Sequence, residues 1–88
     1  MEIRFSQPFQ KLTGTSLFHL DLSKAITLKE LLQVLGNEFP TLERFSGFQT
    51  DDSLSAHAMF VRAGRILLLL DRLEMDDQIE IFLPVSGG

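Results

Sequence analysis

Eighty-eight residues leave room for one small hydrophobic core and not for a second. The absence of cysteine excludes a disulfide framework, a thiolate metal site and a cysteine nucleophile together. Twelve Asp and Glu against eight Lys and Arg give a formal net charge of −4. There is no basic tract to displace counterions from a phosphate backbone, so direct nucleic-acid binding is disfavoured.

Met1, Ile3 and Phe5 alternate with Glu2 and Arg4, and Phe18, Leu20 and Leu22 alternate with His19 and Asp21. A period of two predicts two strands, each with one buried face. The connection from Gln7-Pro8 to Thr15, carrying Gly14, is short enough to join them as an antiparallel hairpin. The same N-terminal stretch lacks the basic region and long apolar run of a secretory leader. Leu67 to Leu70 is too short to span a bilayer. A cytosolic protein with no membrane association is expected.

Thr27-Leu28-Lys29-Glu30 has the form of a capping box, in which a threonine hydroxyl and a glutamate carboxylate satisfy backbone donors at a helix start. Leu28, Leu31, Leu32, Leu35 and Phe39 then fall on one helical face, and Pro40 stops the helix near Phe39. From Thr41 to Ala56 the periodicity dissolves into a polar loop with room for one short helical turn. Ala58 to Arg62 reads as a third strand, turning at Ala63-Gly64-Arg65 into Ile66-Leu67-Leu68. Asp71 to Gln78 reads as a polar connection, and Ile79 to Val85 as a final strand.

Ile79, Ile81 and Leu83 share one face of that strand, and burying each is worth roughly 1.5 to 3 kcal/mol, so a sheet must take it in. The order β, β, α, β, β with one helix laid across a small mixed sheet is an α+β arrangement, the ubiquitin-like β-grasp. A single domain over residues 1–88 is expected, with 84–88 as a flexible tail ending in Gly87-Gly88.

No phosphate loop, HExxH, Gly-x-Ser-x-Gly or calcium-loop pattern is present, so an enzyme acting alone is not expected. His19 and His57 lack metal-ligand spacing and read as surface residues. Asp71, Glu74, Asp76 and Asp77 read as solvated, locally capping groups of a turn. Arg62, Arg65 and Arg72 form a candidate basic patch able to meet a partner's carboxylates. Strict alternation points the Phe82 ring away from the core at the base of the tail, where an aromatic suits a protein interface. Glycine has no Cβ, so a Gly-Gly terminus fits a channel too narrow for side chains and can carry its carboxylate into another protein's active site.

The run from Val61-Arg62-Ala63-Gly64 through Leu73-Glu74-Met75-Asp76-Asp77 to Ile79-Glu80-Ile81-Phe82-Leu83-Pro84-Val85-Ser86-Gly87-Gly88 resembles the MoaD/ThiS group of ubiquitin-like sulfur carriers, and its closing Phe-x-Pro-Val-Ser-Gly-Gly looks most like the MoaD branch. It departs from the pattern at Asp76-Asp77, where many relatives have Gly-Asp, and at Leu83-Pro84, where they have two prolines. Asp76 is expected to make the turn by tolerating left-handed backbone angles.

The resemblance implies a small subunit of molybdopterin synthase with no bound cofactor. A MoeB-like adenylyltransferase uses ATP to activate the Gly88 carboxylate, and a sulfur donor protein converts it to a thiocarboxylate. Pro84, Val85, Ser86 and Gly87 then thread into a MoaE-like catalytic subunit, in a 2:2 heterotetramer, with Phe82, Arg62 and Arg65 at the interface. Five residues from Pro84 span about 16 Å at roughly 3.3 Å each. The other carrier assignments are thiazole synthesis, transfer-RNA thiolation and conjugation to lysines. A β-grasp interaction module with an idle tail is the alternative outside that class.

Overall fold

The computed structural model describes residues 1–84. Strand β1 (Glu2–Phe5) pairs antiparallel with β2 (Leu17–His19), as the alternation predicts, with Ile3 opposite Phe18. Met1, Ile3 and Phe5 are buried. β2 is shorter than the pattern suggested, since Leu20 and Leu22 lie beyond it and pack half-buried against the core. The connection is not plain loop: it holds a short helix α1 (Phe9–Thr13) that buries Phe9 and ends at Gly14 in the left-handed region, φ 78°. One buried aromatic in a polar stretch has no period to reveal it.

After a two-residue strand β3 (Ile26–Thr27), helix α2 (Leu28–Glu38) begins at the predicted capping box. The Thr27 hydroxyl accepts from the Glu30 N–H at 3.2 Å, and the Glu30 carboxylate accepts from the Thr27 N–H at 3.0 Å. Leu28, Leu31, Leu32 and Leu35 are buried, and Phe39 caps the helix in extended conformation between the rings of Phe5 and Phe18. The backbone N–H of Thr27 holds the Glu30 carboxyl below the usual glutamate range, with the Thr27 hydroxyl adding to the effect. A carboxyl with a depressed folded-state pKa contributes stability that is present above its ordinary pKa and lost as pH falls through the folded value. Thr27→Ala removes the hydroxyl that accepts from the Glu30 N–H and should cost about 1 kcal/mol at neutral pH. Because the Thr27 backbone N–H stays, only the hydroxyl's smaller share of the Glu30 effect goes with it, and the gap between variant and parent should narrow slightly on acidification. Urea denaturation at several pH values measures both; equal stability at pH 7 would show that the cap contributes nothing.

The segment after Pro40 is more ordered than its sequence suggested. A 3-10 stretch, Pro40–Gly47, buries Leu42 and Phe45, and helix α3 (Asp51–Ser55) buries Leu54 behind a Thr50 cap whose hydroxyl accepts from the Ser53 N–H. Isolated apolar anchors hold both pieces, so the hydrophobic spacing is too sparse to show helical period.

Strands β4 (Met59–Arg62) and β5 (Arg65–Ile66) form the predicted hairpin, turning through Ala63 and Gly64. Both turn residues have positive φ, 52° and 78°, as the tight twisted turn of a two-residue hairpin requires. Alanine in this region costs roughly 1 to 2 kcal/mol, part of which glycine returns as unfolded-state entropy. Ala63→Gly should stabilise the protein by about 0.5 to 1 kcal/mol, and Gly64→Ala should destabilise it by a similar amount. No atom within 4 Å would meet a Cβ at Gly64, so that cost is conformational alone. Paired melting curves check the two signs, and a drop in melting temperature for Ala63→Gly would contradict the reading.

The expected polar connection contains one more strand, β6 (Arg72–Leu73), paired antiparallel with β3 in a separate two-stranded ladder that buries Leu73. The turn at Glu74 to Asp77 closes without left-handed backbone at Asp76, contrary to expectation: Ala63 is the one non-glycine residue with positive φ among those described. It closes instead through Asp77, whose N–H donates to the Glu74 carbonyl at 3.2 Å and whose carboxylate accepts from the Glu74 N–H at 2.8 Å.

The final strand β7 (Gln78–Phe82) enters the middle of the sheet, parallel to β1 and antiparallel to β4. The order is β2-β1-β7-β4-β5, a five-stranded mixed sheet. The side chains of Ile79 and Ile81 are buried on the core side with Leu31, Leu32, Leu35 and Phe60. The expected β-grasp is present, with helix α2 and the 3-10 stretch covering one face of the sheet.

Candidate functional site at the outer sheet face and the base of the tail

β7 ends earlier than the alternation predicted. Its β1 partners run out at Phe5, opposite Ile81, and β4 begins at Met59, opposite Phe82. Beyond that point Ser6 closes the edge: its N–H and its hydroxyl both donate to the Ile81 carbonyl, at 3.1 and 2.6 Å. Leu83, expected on the buried face with Ile79 and Ile81, is 52% exposed because no strand remains to cover it. Pro84, which has no N–H to offer a ladder, is half-buried. The clamp at Ser6 therefore sets where the chain leaves the sheet. No sequence signal marks it, since a serine after a strand is ordinary. Val85, Ser86, Gly87 and Gly88, on which the predicted chemistry rests, lie outside the described residues.

Phe82 has the orientation predicted from alternation. It follows buried Ile81, sits half-buried on the face away from α2, and stands opposite Met59. The next register row on this face runs from Leu17 through Arg4, Glu80 and Val61 to Ile66. The outer face is thus apolar toward β4 and β5, through Phe82, Met59, Val61 and Ile66, and charged toward β1. An apolar surface of this kind beside the chain's exit is suited to protein contact.

The three arginines of the predicted patch do gather at the far end of the β4–β5 hairpin, but not as free charges. Arg62 donates through Nη1 to the Asp77 carboxylate at 2.8 Å and to the Arg72 carbonyl at 2.7 Å, partly buried, and so ties the hairpin to the turn before β7. Arg65 stands exposed opposite Arg62. Arg72 faces Glu74 at 3.5 Å on the surface, a pair worth little in water.

The acidic residues of the turn behave as the sequence reading expected, for Asp71 accepts from the Leu68 N–H at 2.8 Å and Asp77 caps its own turn. His19 and His57 are exposed. His19 meets Asp21 at 3.0 Å, and the His57 ring stacks on Phe48 with centroids 4.9 Å apart. Among the described residues no group of three or more metal-ligating side chains comes together. No helix of those residues is long and apolar enough to cross a membrane.

A helix on a five-stranded mixed sheet, with parallel first and last strands at its centre and the chain leaving beside an apolar outer face, defines a ubiquitin-like protein of the small-modifier and sulfur-carrier class. Solved structures of that class superpose on nearly the whole chain. Two structures of SAMP1, the small archaeal modifier protein 1 of Haloferax volcanii, are 27% and 25% identical, each with a TM-score of 0.77; the first pairs 100% of this chain with 98% of its own, the second 97% with 97%. A putative molybdopterin converting factor subunit 1 from Pyrococcus furiosus has the same fold at 18% identity, covering 96% of this chain and 95% of its own with a TM-score of 0.75. No curated protein sequence matches the chain. The ThiS family model matches residues 3–88, and the chain belongs to that family, the MoaD/ThiS group of ubiquitin-like sulfur carriers.

Proposed function

We propose that this protein is a sulfur carrier that acts as the small subunit of a molybdopterin synthase. The observation that carries the reading is the junction of fold and sequence at the end of β7: the sheet releases the chain after Phe82, and Leu83-Pro84-Val85-Ser86-Gly87-Gly88 follows. A carboxylate is a poor electrophile because its charge is delocalised, so it must be activated before sulfur can attack. In the proposed cycle the Gly88 carboxylate attacks the α-phosphorus of ATP in a MoeB-like enzyme, and pyrophosphate leaves. Sulfide attacks the acyl carbon, AMP leaves and a thiocarboxylate remains. Where the donor offers a persulfide instead, an acyl disulfide forms, and a second thiol of the donor attacks the donor's own sulfur to release the thiocarboxylate and leave a disulfide on the donor.

The tail then enters a MoaE-like catalytic subunit, where the sulfur passes to a pterin precursor and water restores the carboxylate. This chain contributes the reagent, its positioning and the docking face around Phe82, with Arg65 and the remaining donors of Arg62 at the rim. Pro84 has a fixed φ, which lowers the entropy lost when the tail is threaded.

The likeness to SAMP1 over the full length at 27% identity supports a second reading, in which the activated tail is joined to lysines of other proteins. One experiment separates the two. Incubated with ATP, the adenylyltransferase and a sulfur donor, the protein should gain the mass of one oxygen exchanged for sulfur, and adding the MoaE-like subunit and precursor should discharge it. A charged species that is discharged only onto lysines favours the modifier reading. An unchanged mass under full activation conditions would overturn both.

A further inference from the structure

The run Ile66 to Leu70 alternates between core and solvent. Leu67 and Leu69 are each 4% exposed, whereas Ile66, Leu68 and Leu70 are 57%, 50% and 80% exposed. Leu70 is held in that position. The Leu68 N–H donates to the Asp71 carboxylate at 2.8 Å and the Asp71 N–H to the Leu68 carbonyl at 3.0 Å, which closes a turn with Leu70 inside it. The Leu69 N–H donates to Asp51 at 2.7 Å, and the carbonyls of Leu69 and Asp71 accept from the first N–H groups of α2. A turn fastened at these points cannot swing the leucine inward. A rigidly presented apolar side chain is what interface anchors have in common.

The occupant of this ledge is not an added strand. The Leu67 N–H donates to the Phe60 carbonyl at 2.7 Å, so those two residues form a hydrogen-bonded pair, and of β5 only Ile66 turns its backbone groups outward. Both backbone groups of Leu68 are used in the turn, and an edge so short offers no template. Contact must come through side chains, and their charges indicate the partner. The Leu69–Asp51 bond puts Asp51, with exposed Asp52 beside it in α3, at the Leu69 end of the ledge, while the hairpin and β6 bring exposed Arg65, and Arg72 beside Glu74, to the other. An apolar centre with an acidic end and a basic end is self-complementary about a two-fold axis.

We propose that Ile66, Leu68 and Leu70 form the centre of a two-fold contact with a second copy of this chain, in which Arg65 and Arg72 of each copy face Asp51 and Asp52 of the other. The ledge is small beside the 1,200 to 2,000 Å² or so of a stable interface, so the dimer is reversible and populated only at high concentration. It forms at the β5 edge and takes Ile66 and Arg65 from the docking face around Phe82, so the dimer and the proposed catalytic complex exclude each other.

Sedimentation equilibrium of the full chain from micromolar to millimolar concentration tests the contact. The molar mass should climb from the monomer's 10.0 kDa toward twice that value. Leu70→Lys should weaken the dimer by roughly tenfold or more with an unchanged melting curve, and Leu70→Ser should do the same if lysine proves disruptive. Arg72→Glu and Asp52→Arg should each weaken self-association, and an equimolar mixture of the two should regain it, because a two-fold contact then pairs opposite charges twice. A monomer at every concentration, or a dimer indifferent to Leu70→Lys, would overturn the proposal. Failure of the charge-swapped mixture to recover would overturn the two-fold pairing.

Discussion

One alanine appended after Gly88 should leave the protein folded and abolish thiocarboxylate formation. The fold is complete at Phe82, where the Ser6 clamp closes the sheet, so the extension changes no packed residue and no ladder hydrogen bond among the described residues. In the proposed cycle it changes the reacting terminus, because the carboxylate is moved one residue beyond the glycine pair and alanine's Cβ would obstruct a channel shaped for glycine. Intact-mass spectrometry after activation should show only the unmodified form, while the melting temperature stays within the scatter of the parent. Binding of the proposed catalytic subunit to the outer face should largely persist. A protein that is still charged with sulfur would mean that Gly88 is not the reacting residue.

Ile81→Ala should be among the most destabilising single substitutions in the chain. Ile81 is 1% exposed and contacts the core from the strand at the sheet's centre. Truncating a buried isoleucine to alanine typically costs about 2 to 5 kcal/mol through lost transfer energy and the cavity left behind. A chain of this length is worth only roughly 4 to 13 kcal/mol in total, so a large share of its stability would go. Urea unfolding should show a lower midpoint at similar slope, and a loss below about 1 kcal/mol would mean that the core relaxes to fill the space.

What could be read from sequence was whatever has a period or a named chemical cue. The capping box at Thr27, the leucine face of α2, the stop at Pro40 and the alternation in β1 and β7 all came through, because each follows a physical rule with a residue signature. The two-residue strands β3 and β6, the short helices α1 and α3 and the 3-10 stretch did not, because each is held by one or two anchors such as Phe9, Leu42 or Leu73. The placement of Leu83 failed for another reason: alternation describes which way a side chain points, and not whether neighbouring strands are long enough to cover it. At the candidate site the outward Phe82 was legible, whereas the Ser6 clamp and the engagement of Arg62 by Asp77 join residues far apart in sequence and required the fold.

The pairing of β7 between β1 and β4 sets a condition on synthesis. A nascent chain that has not yet delivered its last strand has a gap at the centre of its sheet, with the core edges of Ile3, Phe5 and Phe60 open to water. Such pairing between segments far apart in sequence is slow to form. Maturation is therefore all-or-none with respect to β7: products terminated before that strand fail to fold.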